Sequence, residues 1–99
     1  MIIITGTILA REESFSELRA LCIEHVHRSR GEPGCVSHDV HVDVEEPLRL
    51  VFVERWADAA SVRAHFAVPA SVEFVKAIRR LAAESSPIQI YDAKETSIA

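Results

Sequence analysis

Leu48-Arg-Leu-Val-Phe-Val-Glu54-Arg-Trp56-Ala-Asp58-Ala-Ala-Ser-Val-Arg-Ala-His65-Phe66 changes period in its middle, and that change decides the fold. Up to Trp56 the side chains alternate as on a strand. From Ala59 to Phe66 the pattern is that of a short helix, with Asp58 placed as its N-cap. Leu48, Leu50, Phe52, Glu54 and Trp56 therefore share one strand face, apolar except for Glu54. An isolated buried carboxylate is strongly disfavoured, so Glu54 must be paired, protonated or close to water.

Working upstream, Cys35 to Val44 is a second alternating run. Val36, His38, Val40, Val42 and Val44 fall on its apolar face, and Cys35, Ser37, Asp39, His41 and Asp43 on the other. Glu45-Glu-Pro47 is short enough to close the two runs into a hairpin. A slip by one residue would set valines against Arg49 and Arg55, so the register moves only in even steps. Val44 opposite Leu48 is the expected pairing, which places His38 opposite Glu54. Glu32-Pro-Gly34 is the turn that launches this hairpin.

Further upstream, Ile2 to Ala10 is apolar on both faces, as expected of a central strand covered on each side. Ser14 followed by Glu17 reads as a capping box ahead of Phe15. The helix it opens carries Phe15, Leu18, Leu21, Cys22, His25 and Val26 on one stripe and ends at Gly31. His27 falls on another side and reads as solvated. Downstream, Pro69 suits the first position of a further helix whose face is Val72, Val75, Ile78, Leu81 and Ala82, with Phe74 beside it. Pro87 then opens a last run, Ile88 to Lys94.

The order β-α-β-β-α-β is the ferredoxin-like α+β arrangement. It predicts a four-stranded antiparallel sheet with the first and third strands central and the helices on one face. Ninety-nine residues make a single domain, 1–99. On the far face Ile3, Leu9, Val51 and Val53 form an apolar patch too large to leave wet, so a homodimer through the sheet is expected.

Composition narrows the function classes. The chain is 48% hydrophobic and 26% charged, with a net charge of -4, and its 11 basic residues are scattered, which leaves no footprint for nucleic acid. No apolar run is long enough to span a membrane. Met1-Ile-Ile-Ile-Thr lacks the flank and length of a signal peptide, so a cytoplasmic location is expected. Cys22 and Cys35 read as free thiols. Glycine-rich phosphate loops, CxxC pairs and GxSxG elbows are all missing. Asp39, His41 and Asp43 share a strand face, but such neighbours more often meet cross-strand charges such as Arg49. No metal and no cofactor is expected.

Three spaced segments, Glu32-Pro-Gly-Cys35-Val-Ser, Phe52-Val-Glu54-Arg-Trp56-Ala-Asp58 and Ala64-His65-Phe66-Ala-Val-Pro69, resemble the signatures of the antibiotic biosynthesis monooxygenase domain, a dimeric α+β barrel. The resemblance implies a pocket between the sheet and the helices of each subunit. It also implies, for some members, oxygenation of quinols or polyphenolic aromatics by molecular oxygen with neither metal nor flavin. Relatives often carry Tyr where this chain has His38, and a second histidine where it has Ala70. The haem-degrading branch needs an asparagine on the first strand and a histidine on the last helix. This chain has no asparagine, and residues 70–84 hold no histidine, so haem is excluded.

The chemistry can be argued independently. Cofactor-free oxygenation needs an electron-rich ring whose deprotonation makes it a good one-electron donor to oxygen, a base, and a largely dry pocket. His38 is the candidate base, with Glu54 to orient its imidazole. His65 could hydrogen-bond a substrate oxygen or Glu54, and Trp56, with Phe52 and Phe66, would wall the ring. Each has a purely structural counterpart: Glu54 as a strand-to-helix tie, His38 as a satisfied core histidine, Trp56 as plain core. The leading expectation is a cofactor-independent monooxygenase of a small quinol or phenolic compound. A non-catalytic dimeric ligand-binding module, or an isomerase or decarboxylase on the same barrel, stays open beside it.

Overall fold

The computed structural model describes residues 1–99. Its elements are β1 (Ile2–Ala10), α1 (Phe15–Ser29), β2 (Cys35–Val42), β3 (Arg49–Trp56), α2 (Ala59–Ala67), α3 (Pro69–Leu81), β4 (Ala82–Ser85) and β5 (Gln89–Asp92). The sheet runs β2-β3-β1-β4, with β5 also on β1, and every pairing is antiparallel. This is the ferredoxin-like α+β fold, with β1 and β3 central. No helix is long and apolar enough to cross a membrane.

The β2–β3 register sets His38 against Glu54, as face matching requires. The edge of β2 departs from simple alternation. Cys35 pairs with Trp56 and Ser37 with Arg55, so Val36 is an extra residue, a bulge. The bulge turns Cys35 inward, where it packs on Ile4, Trp56 and Val62, and throws Val36 outward to 59% exposure. The strand also stops at Val42, leaving Val44 96% exposed in the hairpin loop. Of the five residues expected on the apolar face, only His38 and Val40 reach the interior; an edge strand has no further neighbour to cover the rest.

Two other expectations are corrected. Ser14 does not form a capping box. Its hydroxyl donates to Leu81 O at 2.8 Å and accepts from Arg11 N–H at 3.1 Å, tying the start of α1 to the end of α3. The final strand begins at Ala82, a residue expected on the helix, and is then interrupted. Pro87 has no N–H to give to the ladder, and the chain leaves β1 between Ser86 and Gln89. Ser86 Oγ substitutes there, accepting from Thr7 N–H at 3.0 Å. The gap lies beside Gly6, where a Cβ would stand 3.2 Å from Ile88 Cγ2.

Along β3 the core divides. Leu50 and Phe52 join Ile8, Leu18, Cys22, Val26 and Leu81 in the larger cluster, while Trp56 joins Ile4 and Val62 in a smaller one. Burying each large apolar side chain contributes roughly 1.5–3 kcal/mol. Glu54 falls between the two clusters, so the period-two pattern of β3 inserts a polar layer into the core. Burial pushes the Cys22 thiol up to about 12, leaving it an inert packing group.

Candidate functional site

The polar layer is built by four elements. β3 contributes Glu54 and Trp56, β2 contributes His38, α1 contributes His25 and α2 contributes His65. α2 starts where Asp58 caps it, accepting from Ser61 N–H and Ser61 Oγ–H, both at 2.8 Å. Gly34 packs directly on that first turn. Its φ is +82°, and an added Cβ would collide with Ser61, so only glycine fits on both counts. Ala57 N–H donates to Gly34 O at 2.8 Å and locks the Glu32-Pro-Gly34 turn onto the β3–α2 junction. That docking brings Glu32, remote in sequence, to His65.

His65 is 3% exposed, and its Nδ1 lies 2.8 Å from Glu32 Oε1. A carboxylate can only accept, so Nδ1 carries the proton and Nε2 of the neutral ring offers a lone pair. Nε2 stands 3.9 Å from Glu54 Oε1, beyond hydrogen-bond reach. Glu54 instead accepts from Trp56 Nε1–H at 2.9 Å. His38 Nε2 is 3.1 Å from the same oxygen, within ion-pair distance but poorly aimed. Neither ring nitrogen of His38 makes an aligned hydrogen bond, although the ring is wholly buried. Burial pushes Glu54 up, but the adjoining His38 and the Trp56 N–H outweigh it and hold the carboxyl below its usual range.

Between the sheet and the α2–α3 pair lies a cavity of about 600 Å³, within the range of small-molecule sites. Phe52, Phe66 and Phe74 supply aromatic wall, His25, Glu54 and His65 supply polar wall, and Lys76 and Arg79 stand on the helix at its edge. Glu54, His65, Phe52 and Phe66 therefore sit where the sequence reading places them. His38 and Trp56 do not line the cavity. Both are fully buried against Glu54 Oε1, Trp56 as its hydrogen-bond donor, so neither side chain forms part of the cavity wall.

Two members escaped the sequence reading. His25 falls on the apolar stripe of α1 and reads there as one more core position. Its ring stacks on Phe74 at 4.0 Å and 8°, and its Nδ1 lies 2.7 Å from Arg28 Nη2. Burial, with the charges of His38, His65 and Arg28, lowers its pKa to about 3. The signal available in the sequence is Arg28, which on a helix shares a face with His25. Glu32 opens the first of the three family-like segments, but nothing in the sequence ties it to His65.

His25, His38 and His65 each bring a ring nitrogen within 4.8 Å of the others, which raises a metal reading. The donor set argues against it. Tetrahedral ligation at 2.0–2.1 Å wants nitrogens about 3.4 Å apart. More decisively, the other nitrogen of a ligating histidine normally donates to a carboxylate or carbonyl. That of His25 faces a guanidinium, which only donates, so the His25 proton is forced onto Nε2. On β2, Asp39 pairs with Arg30 at 2.9 Å and Asp43 with Arg49 at 3.2 Å, cross-strand and loop charges rather than ligands.

Comparison with known proteins identifies the family and the fold. The family model for antibiotic biosynthesis monooxygenase matches residues 1–77. The uncharacterized protein sll1783 of Synechocystis is 34% identical over 95 residues; the match covers 96% of this chain and 65% of that protein, so this chain spans just under two thirds of its length. Among solved structures, a candidate antibiotic biosynthesis monooxygenase of Deinococcus radiodurans superposes with a TM-score of 0.93 at 27% identity, covering 100% of this chain and 98% of its own. A second structure named antibiotic biosynthesis monooxygenase gives 0.86 at 26% identity, over 96% of this chain and 100% of its own. Rv0793 of Mycobacterium tuberculosis, at 20% identity and a TM-score of 0.88 over 98% of each chain, shares the fold. With the family model spanning more than three quarters of its length, the chain belongs to the antibiotic biosynthesis monooxygenase family.

Proposed function

We propose that the chain is a monooxygenase that oxidises a small quinol or phenolic aromatic with molecular oxygen, using no metal or flavin. The observation that carries this reading is the Glu32–His65 pair: a carboxylate fixing one imidazole nitrogen at 2.8 Å while the ring itself forms part of the wall of an aromatic-lined cavity. That is the arrangement of a general base and its orienting partner.

A ring hydroxyl in the cavity gives its proton to His65 Nε2. The imidazolium so formed lies between Glu32 and Glu54, whose charges stabilise it. Glu54 is kept ionised by Trp56 and His38, which act through it as positioning residues. The electron-rich anion then passes an electron to dioxygen, and the radical pair couples at a ring carbon. One oxygen atom stays on that carbon, as the new hydroxyl once the ring tautomerises, and the other leaves as water. The substrate supplies all four electrons, so a quinol plus dioxygen gives a hydroxyquinone plus water. The apolar walls exclude solvent that would quench the intermediates.

The reading includes a homodimer. Ile3, Leu9, Val51 and Val53 remain half-buried on the face away from the helices, and a second cavity of about 330 Å³ opens there beside Val51 and Val53. A second copy would cover both.

Oxygen uptake with a panel of quinols tests the activity. Uptake of one dioxygen per quinol is expected, falling about 10²- to 10⁴-fold in His65→Gln, the usual loss on removing a general base. Saturable quinol binding with no uptake above the uncatalysed rate would replace the oxygenase with the ligand-binding module.

A further inference from the structure

His25 is buried, lines the cavity and has no role in the chemistry above. It stands beside His65, with ring centroids 5.3 Å apart. The two rings are locked in opposite senses. Arg28 Nη2, 2.7 Å from His25 Nδ1, can only donate, so Nδ1 accepts and the single ring proton sits on Nε2. Glu32 Oε1, 2.8 Å from His65 Nδ1, can only accept, so the His65 lone pair sits on Nε2. One ring offers a hydrogen and the other takes one, with a nitrogen of each within 4.8 Å.

The surroundings are charged to match. Arg28 lies behind His25, whereas Glu32 and Glu54 lie beside His65. His38 lies 3.1 Å from Glu54 Oε1, with its ring 5.2 Å from that of His25; Phe74 of α3 stacks on the His25 ring, and Lys76 and Arg79 are the other cations at the cavity. Negative charge is thus favoured at the His25 end and positive charge at the His65 end, the separation that proton transfer between them creates.

We propose that His25 is the donor that receives the substrate's ionising oxygen. The hydroxyl transfers its proton to His65 Nε2, and the oxyanion left behind keeps the hydrogen bond from His25 Nε2–H. Arg28 is the positioning residue that fixes the tautomer. Only the O–H bond breaks and only an N–H bond forms. The site so built selects phenols and enols, which ionise at one oxygen, over ethers and ketones of the same shape. The proposal rests on the reading that a hydroxyl-bearing ring occupies this cavity.

The test is spectroscopic and uses 4-nitrophenol, whose anion is coloured, titrated into the full chain without oxygen. Wild-type protein is expected to bind the anion in preference to the neutral phenol, so that bound probe ionises at lower pH than free probe. His25→Phe should reduce that preference about 10- to 100-fold, the worth of a hydrogen bond to a charged oxygen. His25→Gln, which keeps an N–H donor, should retain most of it. Arg28→Met releases the His25 proton to either ring nitrogen, while burial still opposes a second proton, so the folded variant should lose part of the anion preference; a merely structural arginine would leave that preference unchanged. Binding of the neutral phenol only, no binding at all, or an undiminished preference in folded His25→Phe would overturn the proposal. Should His25→Phe fail to fold, loss of the preference in folded His25→Gln would do so. Because no oxygen is present, anion binding without oxygen uptake in the quinol assay would retire the oxygenase reading alone, and uptake without anion preference would retire only this one.

Discussion

Replacing His25 with phenylalanine should flatten the acid limb of the chain's stability curve. The native ring stays neutral down to about pH 3, because burial first, and the charges of His38, His65 and Arg28 after it, oppose a second proton. In the unfolded chain it takes that proton below about pH 6.5. Between those values the unfolded state binds more protons, so the contribution is full above about pH 6.5 and is lost as pH falls towards 3. The whole gap corresponds to roughly 5 kcal/mol, and about half of it is lost between pH 7 and pH 4.5. With a urea slope near 1 kcal/mol/M, wild-type protein should unfold at roughly 2–3 M less urea at pH 4.5 than at pH 7 from this group alone. Glu54, Asp43 and Asp58 are also held below their usual ranges and add their own acid sensitivity, but equally in both proteins. The quantity to measure is therefore the difference in pH dependence between wild type and His25→Phe by urea melts. Parallel curves for the two would refute the claim that His25 is held neutral.

Three further outcomes are expected. Light scattering at micromolar concentration should give a homodimer, and Val51→Glu, which puts a charge on the half-buried far face, should give a monomer; a monomeric wild type would contradict the covered face. Gly34→Ala combines a strained positive φ with a collision against Ser61, and should cost about 1–3 kcal/mol in denaturant melts while lowering quinol oxidation by displacing Glu32 from His65. Calorimetric titration with zinc should show no stoichiometric site in wild type and a gain of binding in Arg28→Met, where the inward nitrogen of His25 recovers its lone pair; tight wild-type binding would contradict the tautomer assignment.

How legible the site was depended on which physical rule set each residue's place. The His38–Glu54 pairing follows from alternation plus a short hairpin, since a one-residue slip would bury arginines. Asp58 and the helix after it are local capping chemistry. The Val36 bulge lies beyond such reasoning, because an extra residue in one strand leaves the alternation of its neighbour intact. Glu32 was hidden for another reason: its approach to His65 depends on a glycine turn docking against a helix start far along the chain. Period-two patterns report which face a side chain takes and not its depth behind that face. Alternation thus puts His38 on the helix side of the sheet, and its full burial keeps it out of the cavity wall. Helical periodicity puts His25 in the core, and the ring is core where it stacks on Phe74 and also part of the cavity wall.

Labelling with ¹⁸O₂ tests monooxygenation at this cavity most directly. Wild-type protein given an oxidisable quinol under ¹⁸O₂ should place one labelled atom in the quinone product and the other in water, and His65→Gln should reduce the labelled product about 10²- to 10⁴-fold. Product without label, with the label found in hydrogen peroxide, would make the reaction a simple oxidation. Labelled product formed at an equal rate by His65→Gln would move the chemistry away from the Glu32–His65 pair.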